Sequence, residues 1–205
     1  MKNCVLVTAY TNCDDFWHTN SPFKSKERFE QLVDYTIPSV LNCIPDPEIY
    51  LIEGTQLTSE QLEKINSFNI KTVCPDNYFA TKSMGELRML KNFVNLFDTF
   101  NYNSFTKLSG RYNVTFTKEF FNSNEFLFSR HTSYSNGLVQ CIETFFYKFP
   151  NSYFKTFKGI ISNTPHAFID LEHTFEEQGI FKGIEGVEKL YVTLRVGAEG
   201  NTCYR

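Results

Sequence analysis

The sequence lacks any run of about 18 consecutive apolar residues, so it offers no candidate membrane-spanning helix. Its first residues, MKNCVLVTAYTNCDD, lack the apolar core of a secretory leader and read better as a first strand. Paired cysteines are missing too. The six cysteines stand at 4, 13, 43, 74, 141 and 203, with no C-x-x-C pair and no zinc-finger spacing. Cys4, Cys74 and Cys141 lie in apolar runs, where a thiol behaves as a small hydrophobe. A reducing compartment, the cytoplasm, is expected. Positive charge is not in excess, with 20 Lys and Arg against 23 Asp and Glu and a net charge of −3. That balance disfavours a nucleic-acid partner, which calls for a basic face.

Familiar catalytic signatures are also missing. There is no GxxxxGK[ST] loop and no GxSxG elbow, which argues against a P-loop enzyme and a serine hydrolase. No Asp-x-Asp occurs. The metal-like spacing of His166, Asp170 and His173 fits one helix face only if a helix runs unbroken through them. Pro165, and the aptness of Asp170 as an N-cap, start the helix later.

What the chain does have is aromatic bulk. Phe occurs 22 times, aromatic residues make up 17% and hydrophobic residues 41%, which suits a packed core and not a disordered chain. The 205 residues are enough for one self-supporting domain, and no internal repeat or linker divides them. Val5 to Tyr10, Glu48 to Glu53, Ile70 to Cys74 and Phe105 to Leu108 read as short buried strands. Between them, 25–41, 58–68 and 82–100 read as helices. In the last, Leu87, Leu90, Phe93, Val94 and Phe97 follow the helical period, Ser83 and Glu86 form a capping box, and Lys82 lies at the N-terminus. Pro38 kinks or ends the first helix. The second half is less regular. Strands are expected over 126–130 and 138–146 as a hairpin, helices over 152–161 and 170–178, and a strand over 190–196.

Alternating strands and helices predict an α/β domain with a mostly parallel central sheet flanked by helices. Ligands of such sheets bind beyond the carboxyl ends of the strands. Thr8 to Tyr10, Glu53 to Thr55, Pro75 to Glu86 and Ser109 to Tyr112 should converge there. Within NSFTKLSGRYNV, two cations, a hydroxyl and a glycine crowd five residues, Lys107 to Arg111. Arginine offers a planar fork of donors and lysine a mobile charge, which suits a phosphate-bearing ligand. Solvated cations beside a turn glycine would look the same. The acidic residues Glu143, Asp170, Glu172 and Glu176 are candidate general bases, or simply solvated.

Four segments in order, V-T-A-Y, I-E-G-T, K-S-M-G-E-L and F-T-K-L-S-G-R-Y, carry a resemblance. They resemble the small GT-A-type glycosyltransferases of large DNA viruses and bacteria, which carry a K-x-S-G-R-Y element. The resemblance covers residues 4 to 114, and I-D-L-E-H, G-V-E-K and G-A-E-G extend it loosely. It implies a single GT-A-like (Rossmann-like) domain, with 1–114 binding a nucleotide sugar and 115–205 binding a glycan or glycoprotein acceptor. It implies that a sugar passes from the nucleotide-sugar donor to a hydroxyl. Thr8, Ala9 and Tyr10 would line the nucleotide. Lys107, Ser109 and Arg111 would stand where most relatives hold Mn²⁺ or Mg²⁺ with Asp-x-Asp, so dependence on a divalent metal is open. Fixed cations stabilise a departing diphosphate by the same electrostatic logic as a metal. Arg111 and Lys82, with Lys107, are the candidates. An inverting reaction needs a carboxylate base. Glu172 is the first candidate and Glu143 the second. Two other readings remain, a non-catalytic carbohydrate-binding or assembly module and a nucleotidyltransferase. The glycine-free loop TAYTNCDDF is unlike the Gly-rich loop of the latter.

Overall fold

The computed structural model describes residues 1–12, 24–73, 82–133, 139–165, 171–186 and 192–194. In chain order these form β1 (Asn3–Ala9), α1 (Ser25–Glu30), a π turn (Gln31–Thr36), α2 (Ile37–Cys43), β2 (Pro47–Glu53), α3 (Ser59–Asn66), β3 (Lys71–Val73), α4 (Lys82–Val94), β4 (Ser104–Ser109) and β5 (Tyr112–Val114). The second half adds β6 (Arg130–Ser133), β7 (Val139–Ile142), β8 (Phe146–Pro150), α5 (Asn151–Asn163), α6 (Leu171–Glu177) and β9 (Val192–Leu194).

The central sheet runs β3-β2-β1-β4-β8. Its first four strands are parallel and β8 is antiparallel to β4. Strand alternation sends Cys4, Leu6, Tyr50, Ile52, Phe105, Tyr147 and Phe149 to one face, where they pack with α4, α5 and α6. Val5, Val7, Ile49, Leu51, Leu108 and Phe146 go to the other face, against Leu32, Val33, Ile37, Val40 and Ile65. Both faces are covered, which explains the unbroken apolar runs of β1 and β2. The phenylalanines are core material. Phe105 packs within 5.6 Å, centroid to centroid, of Phe93, Phe149 and Phe157, and Phe100 stacks on Phe154 at 3.8 Å.

The mostly parallel α/β sheet expected from the sequence is present, and the four early strands fall where the apolar runs place them. Several details differ. The helix expected over 25–41 begins with Lys24 as its N-cap and carries the π turn in its middle. Ile37 N–H reaches back to Leu32 C=O, five residues away, as the path turns into Pro38. The wider turn absorbs the proline, which has no N–H to give, so the helical path continues to Cys43. Helix α4 stops at Val94, short of Phe100. Of the strand expected over 126–130, Leu127 forms a bridge with Lys148 and Arg130 begins β6. That expected over 138–146 divides into β7 and β8, and β6 pairs with β7 as a hairpin. A period-2 apolar pattern shows where a chain is extended but not where it changes partner.

Candidate active site

The carboxyl ends of β1, β2 and β4 lie side by side, and a fully buried carboxylate organises two of them. Glu53, at the end of β2, accepts from the Thr11 N–H (2.8 Å) and Thr11 Oγ1 (2.6 Å). It also accepts from the Thr55 N–H (3.0 Å) and Thr55 Oγ1 (2.6 Å). Burial pushes its pKa up, against the pull of these four donors. Gly54 N–H donates to Ala9 C=O at 2.7 Å, and Asn12 exchanges amide hydrogen bonds with Gln61 of α3. The chain leaving β1 is thereby fixed through Asn12. Tyr10 lies over Gly54, where an added Cβ would come within 2.3 Å of Tyr10 Cε1. Only glycine leaves room for that ring. Burial raises the pKa of the Tyr10 hydroxyl, as do the charges of Glu86 and Glu53.

The turn after β4 is drawn in equally tightly. Ser109 pairs with Thr8 in register, and its N–H donates to Phe145 C=O at 2.8 Å. Gly110 N–H donates to Thr8 C=O, and Gly110 C=O accepts from Thr36 Oγ1 of the π turn at 3.1 Å. An added Cβ at Gly110 would lie 3.1 Å from Ala9 Cβ and 3.3 Å from Leu32 Cδ1 and Thr8 O. The glycine is therefore needed for close approach. Arg111 follows, half-buried, and forms no ion pair or hydrogen bond among the described residues. Tyr112 then stacks on Phe145, with centroids 4.4 Å apart.

Lys107 lies inside β4, within the strand expected over Phe105 to Leu108, and is 0% exposed, so it does not join Ser109 and Arg111 at the turn. Its ammonium is ion-paired with Glu86 of α4 and donates to Thr144 C=O at 2.6 Å. A lysine in a doubly covered strand must point into one core or the other, and a buried charge persists only when paired. Ser83 lies inside α4, which begins at Lys82, so it is not the N-cap of the expected capping box, and the Glu86 carboxylate pairs with Lys107 instead. Glu86 lies on the stripe Glu86, Leu90, Phe93, Phe97, so its position on the apolar face was the available signal for a buried partner. Burial raises the pKa of the neighbouring Tyr147 hydroxyl, with a further contribution from Glu86.

Thr144 bridges to the last of the site's carboxylates. Its Oγ1 donates to Glu172 Oε1 of α6 at 2.9 Å, and Glu172 is half-buried. Glu143 is 7% exposed, with its N–H on Ser129 C=O. The structure thus assembles Thr8, Ala9, Tyr10, Ser109 and Arg111 along one strand edge, and joins Lys107 to Glu172 through Thr144. Lys82 opens α4, but its side chain lies outside the described part, as do His166 and Asp170. Sequence reasoning passed over Thr11 and Thr144, and placed Thr55 only as part of a converging segment, because hydroxyls that bond distant segments carry no periodic signal. An open groove of about 960 Å³ between α1 and α3, walled by Lys26, Glu30, Asp34, Glu60, Glu63 and Lys64, contains none of the expected residues.

No protein-family model and no curated protein sequence matches the chain. Solved structures do. A putative glucose-1-phosphate thymidylyltransferase from Bacillus anthracis, in complex with a sucrose, matches 95% of this chain and 90% of its own, with TM-score 0.53 and 8% identity. The fold is GT-A-like. A 4-diphosphocytidyl-2C-methyl-D-erythritolsynthase from Anaerococcus prevotii matches 91% of this chain and 86% of its own, with TM-score 0.49 and 14% identity. The glycosyltransferase GlyE of Streptococcus pneumoniae matches with TM-score 0.49 and 11% identity. There 91% of this chain is covered, and it spans 45% of that larger protein. At such identities the likeness concerns the fold.

Among the described residues, no three His, Cys, Asp or Glu side chains converge as a metal site would need. The turn after β4 offers a hydroxyl and a guanidinium, a donor set that suits an anion and not a divalent cation. No helix among the described residues is long and apolar enough to cross a membrane.

Proposed function

We propose that this chain is a glycosyltransferase that moves a sugar from a nucleoside-diphosphate sugar to a hydroxyl of a glycan or glycoprotein. The observation that carries the proposal is the placement of Arg111. It is a guanidinium with no partner among the described residues, beside a glycine-tight turn at the carboxyl edge of a GT-A-like sheet. Thr8, Ala9 and Tyr10 line the nucleotide, and Ser109 and Arg111 face its diphosphate. Lys82 adds charge from the start of α4. Glu172 is the general base, with Glu143 second. The half 1–114 holds the donor and the half 115–205 the acceptor.

In the step proposed, the acceptor oxygen bonds to the sugar's anomeric carbon and gives its proton to Glu172. The bond from that carbon to the diphosphate oxygen breaks, and its electron pair leaves with the nucleoside diphosphate. Charge therefore grows on the diphosphate in the transition state, where Arg111 hydrogen-bonds it.

Thermal unfolding with a panel of nucleoside diphosphates and nucleotide sugars, in Mn²⁺ and in chelator, tests donor binding. A true donor at 100 times its Kd stabilises by about 2.7 kcal/mol. Stabilisation in chelator supports a metal-free site. Stabilisation only with Mn²⁺ retains the transferase and overturns the role given to Arg111. No shift with any nucleotide overturns the proposal. Release of nucleoside diphosphate, and not pyrophosphate, separates sugar transfer from nucleotidyl transfer. Arg111→Ala is expected to lower turnover by about 10²–10³ and leave stability within about 0.5 kcal/mol.

A further inference from the structure

We propose that Thr144 and Lys107 are positioning residues that hold the base, Glu172, at the acceptor side of the site. This inference rests on the proposed role of Glu172. A continuous polar line crosses the molecule here. Glu86 of α4 pairs with the Lys107 ammonium in β4, Lys107 donates to Thr144 C=O, and Thr144 Oγ1 donates to Glu172 Oε1 of α6. Three of the four links are largely withdrawn from water. Lys107 is fully buried, Thr144 is 3% exposed and the Glu86 side chain is 15% exposed.

The chemistry of each link gives it a direction. Thr144 lies in the short connection between β7 and β8, outside any strand. On one side of it, Glu143 N–H is bonded to Ser129 C=O. On the other, Phe145 C=O accepts from Ser109 N–H. Lys107 takes the carbonyl between them. The hydroxyl of Thr144 is thus aimed by three backbone bonds, and it occupies one oxygen of Glu172. The other oxygen, Oε2, has no hydrogen-bond partner among the described residues and can receive a proton. A half-buried glutamate with a free rotamer would lose that aim, and small misplacements of a reacting group are costly. Among the described residues, the titratable groups near this carboxylate in the chain and along the polar line are His173 beside it and Glu176 one turn along α6, Glu143 beside Thr144, and the Lys107–Glu86 pair behind Thr144. Glu176 is itself held by Arg130, at 3.3 Å. Thr144 is the direct hydrogen-bond donor to Glu172 among these neighbours.

The test compares Thr144→Val, Thr144→Ser, Glu172→Gln and the double variant Lys107→Met with Glu86→Met. The double change removes both buried charges together, so neither is left unpaired and folding is protected. The probes are UDP-glucose, GDP-mannose and dTDP-glucose, read by release of nucleoside diphosphate. T144V and the double variant are expected to lower kcat by about ten- to a hundredfold with the donor KM unchanged, and T144S to restore it. Wild-type kcat in T144V overturns the positioning role, while wild-type turnover in E172Q overturns the role of Glu172 itself. If no probe is turned over, ¹³C-carboxyl NMR of labelled glutamate decides. The Glu172 resonance, assigned by its loss in E172Q, should move in T144V and return in T144S. An unmoved resonance overturns the inference.

Discussion

At the scale of single residues, the molecule uses its carboxylates in three distinct ways. Glu53 is spent on hydroxyls and amides that fix two loops. Glu86 neutralises a buried lysine. Glu48, near the opposite edge of the sheet, gathers Lys71, Lys2 (2.9 Å), Tyr102 (2.6 Å) and Tyr50 (3.1 Å). Burial pushes its pKa up, but hydrogen bonds from Lys71, Tyr102, Lys2 and Tyr50 outweigh that and hold it down at about 2. An unfolded glutamate titrates near ~4.3. Between those values the unfolded chain binds the extra proton, so stability falls as pH falls. The contribution of Glu48 is complete above about pH 4.5 and is lost as pH drops through 2. Melting curves of the wild type and Glu48→Gln should therefore differ at pH 6 and converge towards pH 2. A gap that does not narrow would show that the cluster stabilises by packing alone.

At the scale of elements, the turn after β4 is the piece most sensitive to small changes. Gly110→Ala would push a methyl group against Ala9, Leu32 and the Thr8 carbonyl. A cost of about 1–3 kcal/mol is expected, with weaker nucleotide stabilisation because Arg111 moves with the turn. Urea unfolding with and without nucleotide checks both effects. This turn also shows what the sequence could tell. The density of Lys107, Ser109, Gly110 and Arg111 marked the segment as unusual, and the apolar runs placed its strand. Which way Lys107 points was not legible, because a strand covered on both faces carries no alternation to read. Its partner Glu86 lies 21 residues away and meets it only through the packing of α4 on the sheet. The same holds for Glu53, whose donors Thr11 and Thr55 converge from two loops. Elements were legible from local periodicity, whereas the site depends on hydrogen bonds between segments far apart in the chain. The second half was read less well because β8 leaves its sequence neighbour β7 and joins the central sheet.

At the scale of the whole molecule, that antiparallel β8 ties the second half of the chain into the sheet built by the first. It covers the outer edge of β4 over five register pairs, from Ser104 with Pro150 to Leu108 with Phe146. Tyr147 and Phe149 enter one core and Phe146 the other. A fragment ending at residue 114 would expose both cores and the edge of β4, so it should show no cooperative unfolding by circular dichroism, while the full chain melts in one transition. A sharp transition in the fragment would mean that residues 1–114 form a domain in their own right. The π turn at Gln31–Thr36 has a consequence of another kind. It bonds one residue further back than an α-helix does, so the segment holds a residue that regular winding would not. Each residue of a helix turns the chain by about 100°. Deleting that surplus residue would restore regular winding and keep Ile37 and Val40 facing the core, whereas a deletion within regular α2 would swing the residues beyond it out of the core. Descendants of this chain can therefore lose one residue from this stretch at less cost to the core than from the regular turns on either side.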